Sequence, residues 1–155
     1  MPVSKNVVIG LGNTILRDDG VGVFAARKVQ DLLPEDAGVD VVEAALAGFN
    51  LLDLIIGFEK AIIIDSIQTK DGKVGDIYEF TPDAIKHTVR LASIHDMNLV
   101  TALEFGKMMG MDVPHTVNIY AIEVADNSNF GEEMCPEVEE AVPTVVEKVI
   151  KDLKL

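Results

Sequence analysis

The run Gly10-Leu11-Gly12-Asn13-Thr14-Ile15-Leu16-Arg17-Asp18-Asp19-Gly20-Val21-Gly22 constrains this chain more than any other. A strand-like Val7-Val8-Ile9 ends in its first glycines, and a helix-like run leaves from its last. That is the strand–turn–helix opening of an α/β domain. A dinucleotide loop would look similar. It needs backbone N–H groups open to an anion, and a third glycine three residues after the second. Ile15 stands in that place, and Asp18 and Asp19 would repel a pyrophosphate. Carboxylates just past the carboxyl end of a strand suit a cation instead. The segment therefore predicts metal recognition, with Gly10, Gly12, Gly20 and Gly22 shaping turn and packing rather than doing chemistry.

The rest of the chain alternates strand and helix patterns across short turns, without a linker or repeat. Val7 to Leu11 reads as a strand. Val21, Phe24, Ala25, Val29, Leu32 and Leu33 fall on one helical face that stops before Pro34. Val39 to Glu43 is a second strand, and Gly48 to Gly57 holds a short helix. Ala61-Ile62-Ile63-Ile64 is continuously apolar and ends at Asp65, the mark of a central parallel strand covered on both faces. Asp76 to Phe80 alternates as an edge strand does, and the short return before it predicts antiparallel pairing. A helix from about Ser93 to Met109, a strand from Thr116 to Val124 and a helical stripe from Val138 to Leu153 complete the chain. Pro143 predicts a kink or restart in that last stripe. The pattern predicts a single domain over residues 1–155: a three-layer α/β/α sandwich on a mostly parallel twisted sheet of about five strands with one antiparallel edge.

Charge narrows the function. The 26 acids against 13 bases give a formal charge of −13, which leaves no basic footprint for nucleic acid or an anionic membrane surface. Such acidity suits solubility, or a salty or archaeal cytoplasm. The single cysteine, Cys135, can build neither a disulfide framework nor a cysteine zinc site. Neither a signal peptide pattern nor a run of about 20 apolar residues is visible, so a cytoplasmic monomer is expected.

In folds of this kind ligands bind beyond the carboxyl ends of the strands. Three metal-ligand types fall there: Asp19 after the first strand, Asp65 at the end of the third, and His95 at a helix start. Two carboxylates and an imidazole suit a divalent transition metal and leave coordination positions open. Ser93-Ile94-His95-Asp96 reads as a helix start with Ser93 as N-cap. The dipole there favours the neutral, ligating ring of His95. Taken alone, His95 reads equally as a surface residue near a cap. Asp18 and Asp19 are adjacent, and adjacent residues rarely point the same way, so at most one of them is expected to ligate. Asp18 then caps the following helix, and Asn13 ties the loop through hydrogen bonds to its backbone.

At these residues the chain resembles the hydrogenase maturation endopeptidases. The shared features are the Gly10-x-Gly12-Asn13…Asp18-Asp19-Gly20-x-Gly22 opening, the Ala47-Gly48 step, the Ile62-Ile63-Ile64-Asp65 strand end, Ser93-x-His95 and the closing Pro136-Glu137-Val138-Glu139. Together they run in order through nearly the whole chain. The resemblance implies a phosphorylase/hydrolase-like fold and a peptidase, sometimes classed as aspartic-type. Its partner would be a nickel-loaded precursor of a nickel–iron hydrogenase large subunit, from which it removes a short C-terminal extension. The nickel arrives with that precursor, so the free enzyme is expected to need none of its own. The resemblance also assigns Asp19, Asp65 and His95 to metal contact and catalysis, with Gly12, Asn13, Asp18, Glu43 and Ser93 in support. Some members carry Glu where this chain has the shorter Asp19, so loop position or metal distance must compensate. A finer likeness is to the delta component associated with the deazaflavin-reducing hydrogenase of methanogens.

Two other function classes stay open at this point: a nickel-binding chaperone or checkpoint module without catalysis, and a dinucleotide-dependent enzyme. Other candidate groups are weaker. Cys135 precedes Pro136 at a helix start, where a thiol pKa can fall, but a lone turn cysteine is ordinarily inert. Ser66 follows Asp65 without a Gly-x-Ser-x-Gly elbow. His87 and His115 lie in polar loops. Met97, Met108, Met109 and Met111 gather around one helix and read as core filling, the alternative being that a share of them lines a groove for the substrate's C-terminal segment.

Overall fold

Val7, Val8 and Ile9 are all fully buried in the first strand, β1 (Asn6–Leu11), which requires cover on both faces of the sheet. The computed structural model describes residues 5–45, 49–69, 71–87, 94–125, 131 and 133–153, with backbone alone for 49, 50, 85–87 and 94–98. After β1 a single 3₁₀ turn (Arg17–Gly20) leads into α1 (Val21–Leu32). Then follow β2 (Val39–Ala44), α2 (Phe49–Ile55), β3 (Lys60–Ile67), β4 (Ile77–Phe80), α3 (Pro82–His87), α4 (Ile94–Met108), β5 (Thr116–Glu123) and α5 (Pro136–Asp152).

Among the described residues the sheet has five strands in the order β2-β1-β3-β5-β4, parallel except for β4. The antiparallel edge strand is where the alternating pattern put it, but its partner is β5, which is inserted between β3 and β4. The period of two along each strand divides the core. Ile9 and Ile63 pack with Leu51 of α2 and Leu99 of α4 on one face. Val8, Ile62 and Ile64 pack with Val29 of α1 and Val145 of α5 on the other. This is the three-layer arrangement expected from the sequence.

Three details depart from expectation. The buried stripe of α1 is Val21, Gly22, Val23, Ala25, Ala26 and Val29, whereas Leu32 is 68% exposed. Small residues mark the close contact: a Cβ on Gly10 would lie 2.7 Å from that of Ala26, so α1 rides close on β1. Next, α5 runs unbroken through Pro143. The carbonyl that loses its donor belongs to Glu139, which is exposed like Pro143 itself, so water can satisfy it. Valines on both sides of the proline keep the buried stripe continuous. Last, α3 was not read from the sequence; Pro82 opens it with Asp83 in the first turn, and it carries His87 on helical backbone rather than in a loop.

α4 ends as its sequence predicts. Gly110 has φ +72°, its N–H donates to Lys107 O, and the Met111 N–H reaches back to Gly106 O. That is a Schellman closure. Beyond it the methionines are not core: Met108, Met109 and Met111 are 85%, 62% and 42% exposed. The helical stripe of α4 is filled by Leu99, Ala102 and Leu103 instead, and the Met97 side chain lies outside the described residues.

A polar knot fastens the far end of α5 to the sheet. Lys60 Nζ donates to the carbonyl of Asp152 at 2.6 Å and pairs with its carboxylate. Asn118 Nδ2 and Tyr120 Oη donate to the other carboxylate oxygen at 2.9 and 2.8 Å. Burial works against the charged form of Asp152, but the Lys60, Asn118 and Tyr120 bonds outweigh it and hold the carboxyl below its usual range. Burial, and then Asp152 itself, push the Tyr120 phenol up, so it stays a donor. A group depressed in the folded state stabilises above its unfolded pKa, about 3.9 for Asp, and that contribution fades as pH falls through the lower folded value. Asp152→Asn should therefore flatten the acid limb of stability below about pH 4, measured by urea unfolding at stepped pH.

Candidate active site at the carboxyl ends of the strands

β1 connects through α1 to β2 on one side, and β3 lies on its other side. The chain thus reverses direction across the sheet at β1 and β3, and a crevice opens beyond their carboxyl ends. The glycines set its wall. A Cβ on Gly22 would lie 2.2 Å from Ile64 O and 2.5 Å from Leu11 O, so the first turn of α1 rests on the ends of both strands. A Cβ on Gly12, at φ +141°, would lie 2.0 Å from Asp19 O. Gly12 and Gly22 are thus filled by the fold's own backbone, and neither faces an anion. With two carboxylates at the same turn, this opposes a dinucleotide site.

Asp19 projects from the 3₁₀ turn. Its Oδ2 accepts the Asn13 N–H at 2.8 Å, and its Oδ1 accepts the Ser66 hydroxyl at 3.3 Å. Asn13 also folds its own side chain back, its Oδ1 accepting the Ile15 N–H at 3.1 Å. The loop-tying role expected of Asn13 is present. Asp65 lies within β3 and is 1% exposed, with its Oδ1 accepting the Ser66 N–H at 2.7 Å. Asp19 and Asp65, 46 positions apart by number (65 − 19), thus share one neighbour, Ser66.

Asp18 departs from its expected place. It is fully buried, and it caps α5 rather than the helix that follows it. Its Oδ1 accepts the Cys135 N–H at 2.7 Å, and Cys135 is the N-cap of α5. Its Oδ2 accepts the Ala125 N–H, just past β5, at 3.0 Å. Nearby, Arg17 N–H donates to Gly131 O and Gly131 N–H to Ile15 O, each at 2.8 Å, so the site loop is also stitched to the approach of α5. The bond to Asp18, then burial, push the Cys135 thiol up, the reverse of the fall a helix start alone would give. A raised thiol pKa disfavours the thiolate that a cysteine nucleophile needs.

Glu43, next to last in β2, lies beside Gly10 of β1. Arg27 of α1 grips it with two bonds of 2.8 Å, and that bond holds its carboxyl below the ordinary range. Glu43 is committed to an exposed ion pair. His95 sits in the first turn of α4 as expected; its side chain lies outside the described residues, as do Ser93 and the Ala47-Gly48 step. Among the described residues no three His, Cys, Asp or Glu side chains gather closely enough to hold a metal. His115 is exposed in the turn before β5.

Two residues were missed by sequence reasoning. Ser66 was set aside for lack of a nucleophile elbow, and its link to both acids is visible only in three dimensions. Glu123, at the end of β5, is 2% exposed. It accepts the Thr69 N–H at 2.8 Å, the Thr69 hydroxyl, and Tyr78 Oη at 3.1 Å. It thereby anchors the loop that follows β3. A lone acid closing an otherwise buried strand was the available signal.

Comparison with known proteins identifies the family and the fold. The family model for hydrogenase maturation protease matches residues 23–152. The chain belongs to that family, a family of peptidases. Among curated relatives, the hydrogenase expression/formation protein HupD of Thiocapsa roseopersicina is 20% identical over 95% of this chain and 66% of its own length. HydD of Wolinella succinogenes is 26% identical over 75% of this chain and 73% of its own. The chain thus spans about two thirds to three quarters of those relatives. The fold matches that of the hydrogenase maturating endopeptidase HybD from Escherichia coli, with TM-score 0.79, 22% identity and coverage of 97% and 92% of the two chains. The HybD maturation protease from Thermococcus kodakarensis gives TM-score 0.73 at 24% identity, covering 95% and 97%.

Asp18 and the gripped Glu43 should separate in stability measurements. Asp18→Ala leaves the Ala125 and Cys135 N–H groups without their carboxylate acceptor and should cost about 1–3 kcal/mol in urea unfolding. Glu43→Ala should leave the thermal midpoint within experimental error of the parent.

Proposed function

We propose that this protein is the endopeptidase that trims the C-terminal extension from the precursor of a nickel–iron hydrogenase large subunit, in the cytoplasm and as a monomer. Family membership supports the peptidase class and a hydrogenase as partner. The observation that carries the site is the meeting of Asp19 and Asp65 at Ser66, in the crevice between β1 and β3. No helix among the described residues is long and apolar enough to cross a membrane.

In this reading the nickel is part of the substrate. It can polarise the scissile carbonyl or lower the pKa of a water it binds. Two carboxylates are hard oxygen ligands suited to a divalent ion, and the neutral His95 ring adds the nitrogen that nickel favours. Asp19 has both oxygens engaged by neutral donors, each on one bond. A carboxylate offers about four lone-pair sites, so it can still ligate or accept a proton. Asp65, held in the strand, orients against the same ion. One of these acids serves as general base for the attacking water while the other and His95 hold the precursor's metal.

The test is turnover. Sub-stoichiometric protein should shorten a nickel-loaded precursor, and Asp65→Asn should slow this by about a hundredfold or more. Tight binding of the precursor by the parent protein without shortening would overturn the peptidase reading in favour of the checkpoint module. An Asp65→Asn protein that processes precursor at the parent rate would remove Asp65 from the site.

A further inference from the structure

β3 outruns β1. Pairing between them ends at Gly10↔Ile64, while β3 continues beside β5 as far as Ile67↔Glu123. From Asp65 onward, the edge of β3 that faced β1 has lost its neighbour, because β1 has turned away into the site loop. A backbone N–H on that edge needs another acceptor. Asp65 supplies it for Ser66 by folding its own carboxylate forward, at 2.7 Å. The Ser66 hydroxyl, 6% exposed as a residue, then crosses the notch to Asp19 Oδ1. Facing an ionised carboxylate, a hydroxyl can only donate.

We propose that Ser66 is a positioning residue that sets both acids at once, its N–H fixing Asp65 and its O–H fixing Asp19. For its catalytic consequence this rests on the reading of Asp19 and Asp65 as the acids that meet the precursor's metal. The physical reason is preorganisation. An aspartate on a 3₁₀ turn at the mouth of a crevice has rotamers that point away from Asp65. A donor on each oxygen, Asn13 N–H on Oδ2 and Ser66 O–H on Oδ1, leaves one. Both bonds leave lone pairs free, so the brace need not be undone when a cation arrives.

Ser66→Ala deletes the hydroxyl and keeps the N–H; Ser66→Thr restores a hydroxyl on a residue that suits a strand. The first readout needs no substrate. The Asn13 amide reports on Asp19 through its bond to Oδ2, so amide hydrogen exchange at Asn13 should speed up about tenfold in Ser66→Ala and stay near the parent rate in Ser66→Thr. The second readout is shortening of the nickel-loaded precursor. kcat should fall in Ser66→Ala with KM and thermal midpoint little changed, and recover in Ser66→Thr. Parent-like exchange at Asn13 in Ser66→Ala overturns the proposal. So does equal loss in both variants together with a lowered thermal midpoint, which marks a merely structural serine. If the parent protein itself leaves the precursor intact, the peptidase reading falls, and exchange at Asn13 still decides whether the brace exists.

Discussion

The first turn of α1 has to lie directly on the ends of β1 and β3, and Gly22 is what allows it. With the Leu11 and Ile64 carbonyls less than 3 Å from where a Cβ would sit, any side chain there would push the helix off the sheet. Everything at the site follows from that contact. The 3₁₀ turn immediately before α1 is pulled down over the strand ends, so Asp19 enters the space where β1 and β3 part while Asp18 turns to Ala125 and Cys135. Gly12, packed on Asp19 O, closes the same loop from beneath. The glycines that superficially suggest a phosphate cradle are spent on bringing backbone against backbone.

How much of this could be read from the chain depends on the range of the interaction. The periodic apolar pattern located all five strands and four of the helices, because burial on one or both faces writes a period of two or a solid run into the residues themselves. It missed α3, whose single turn and a half is too short to show a period. It overextended the stripe of α1 to Leu32 because periodicity does not say how close a helix sits. Pro143 misled for a similar reason: the cost of a helical proline depends on whether the orphaned carbonyl can reach water, and here it belongs to exposed Glu139.

The candidate site's residue types could be picked out in the sequence, but not its wiring. Asp19 and Asp65 carry a chemistry that residue type and place after a strand can suggest. Which of the adjacent aspartates faces the crevice could not be derived locally, since the answer lies at Ala125 and Cys135, more than a hundred residues downstream of Asp18. Asp18 is a clamp that joins the loop to the end of β5 and the start of α5. Methionines misread as core belong to the same class of error: their helix has a buried side, but Met108, Met109 and Met111 fall past or opposite it.

The two ends of the sheet treat carboxylates differently, and the difference bears on function. At the far end Asp152 has Lys60 as a charged partner and two neutral donors, a self-contained arrangement whose consequence is stability. At the carboxyl ends of the strands Asp19 is served by one amide and one hydroxyl, which fix its direction while leaving its charge in place. A carboxylate oriented by neutral donors keeps its attraction for a cation, whereas one paired with an ammonium has already used it. Hydrogen bonds from uncharged groups are therefore the appropriate way to hold an acid that, in the proposed function, receives a metal brought by another protein. They supply geometry without neutralisation, and they do so in a crevice whose position Gly22 has already set.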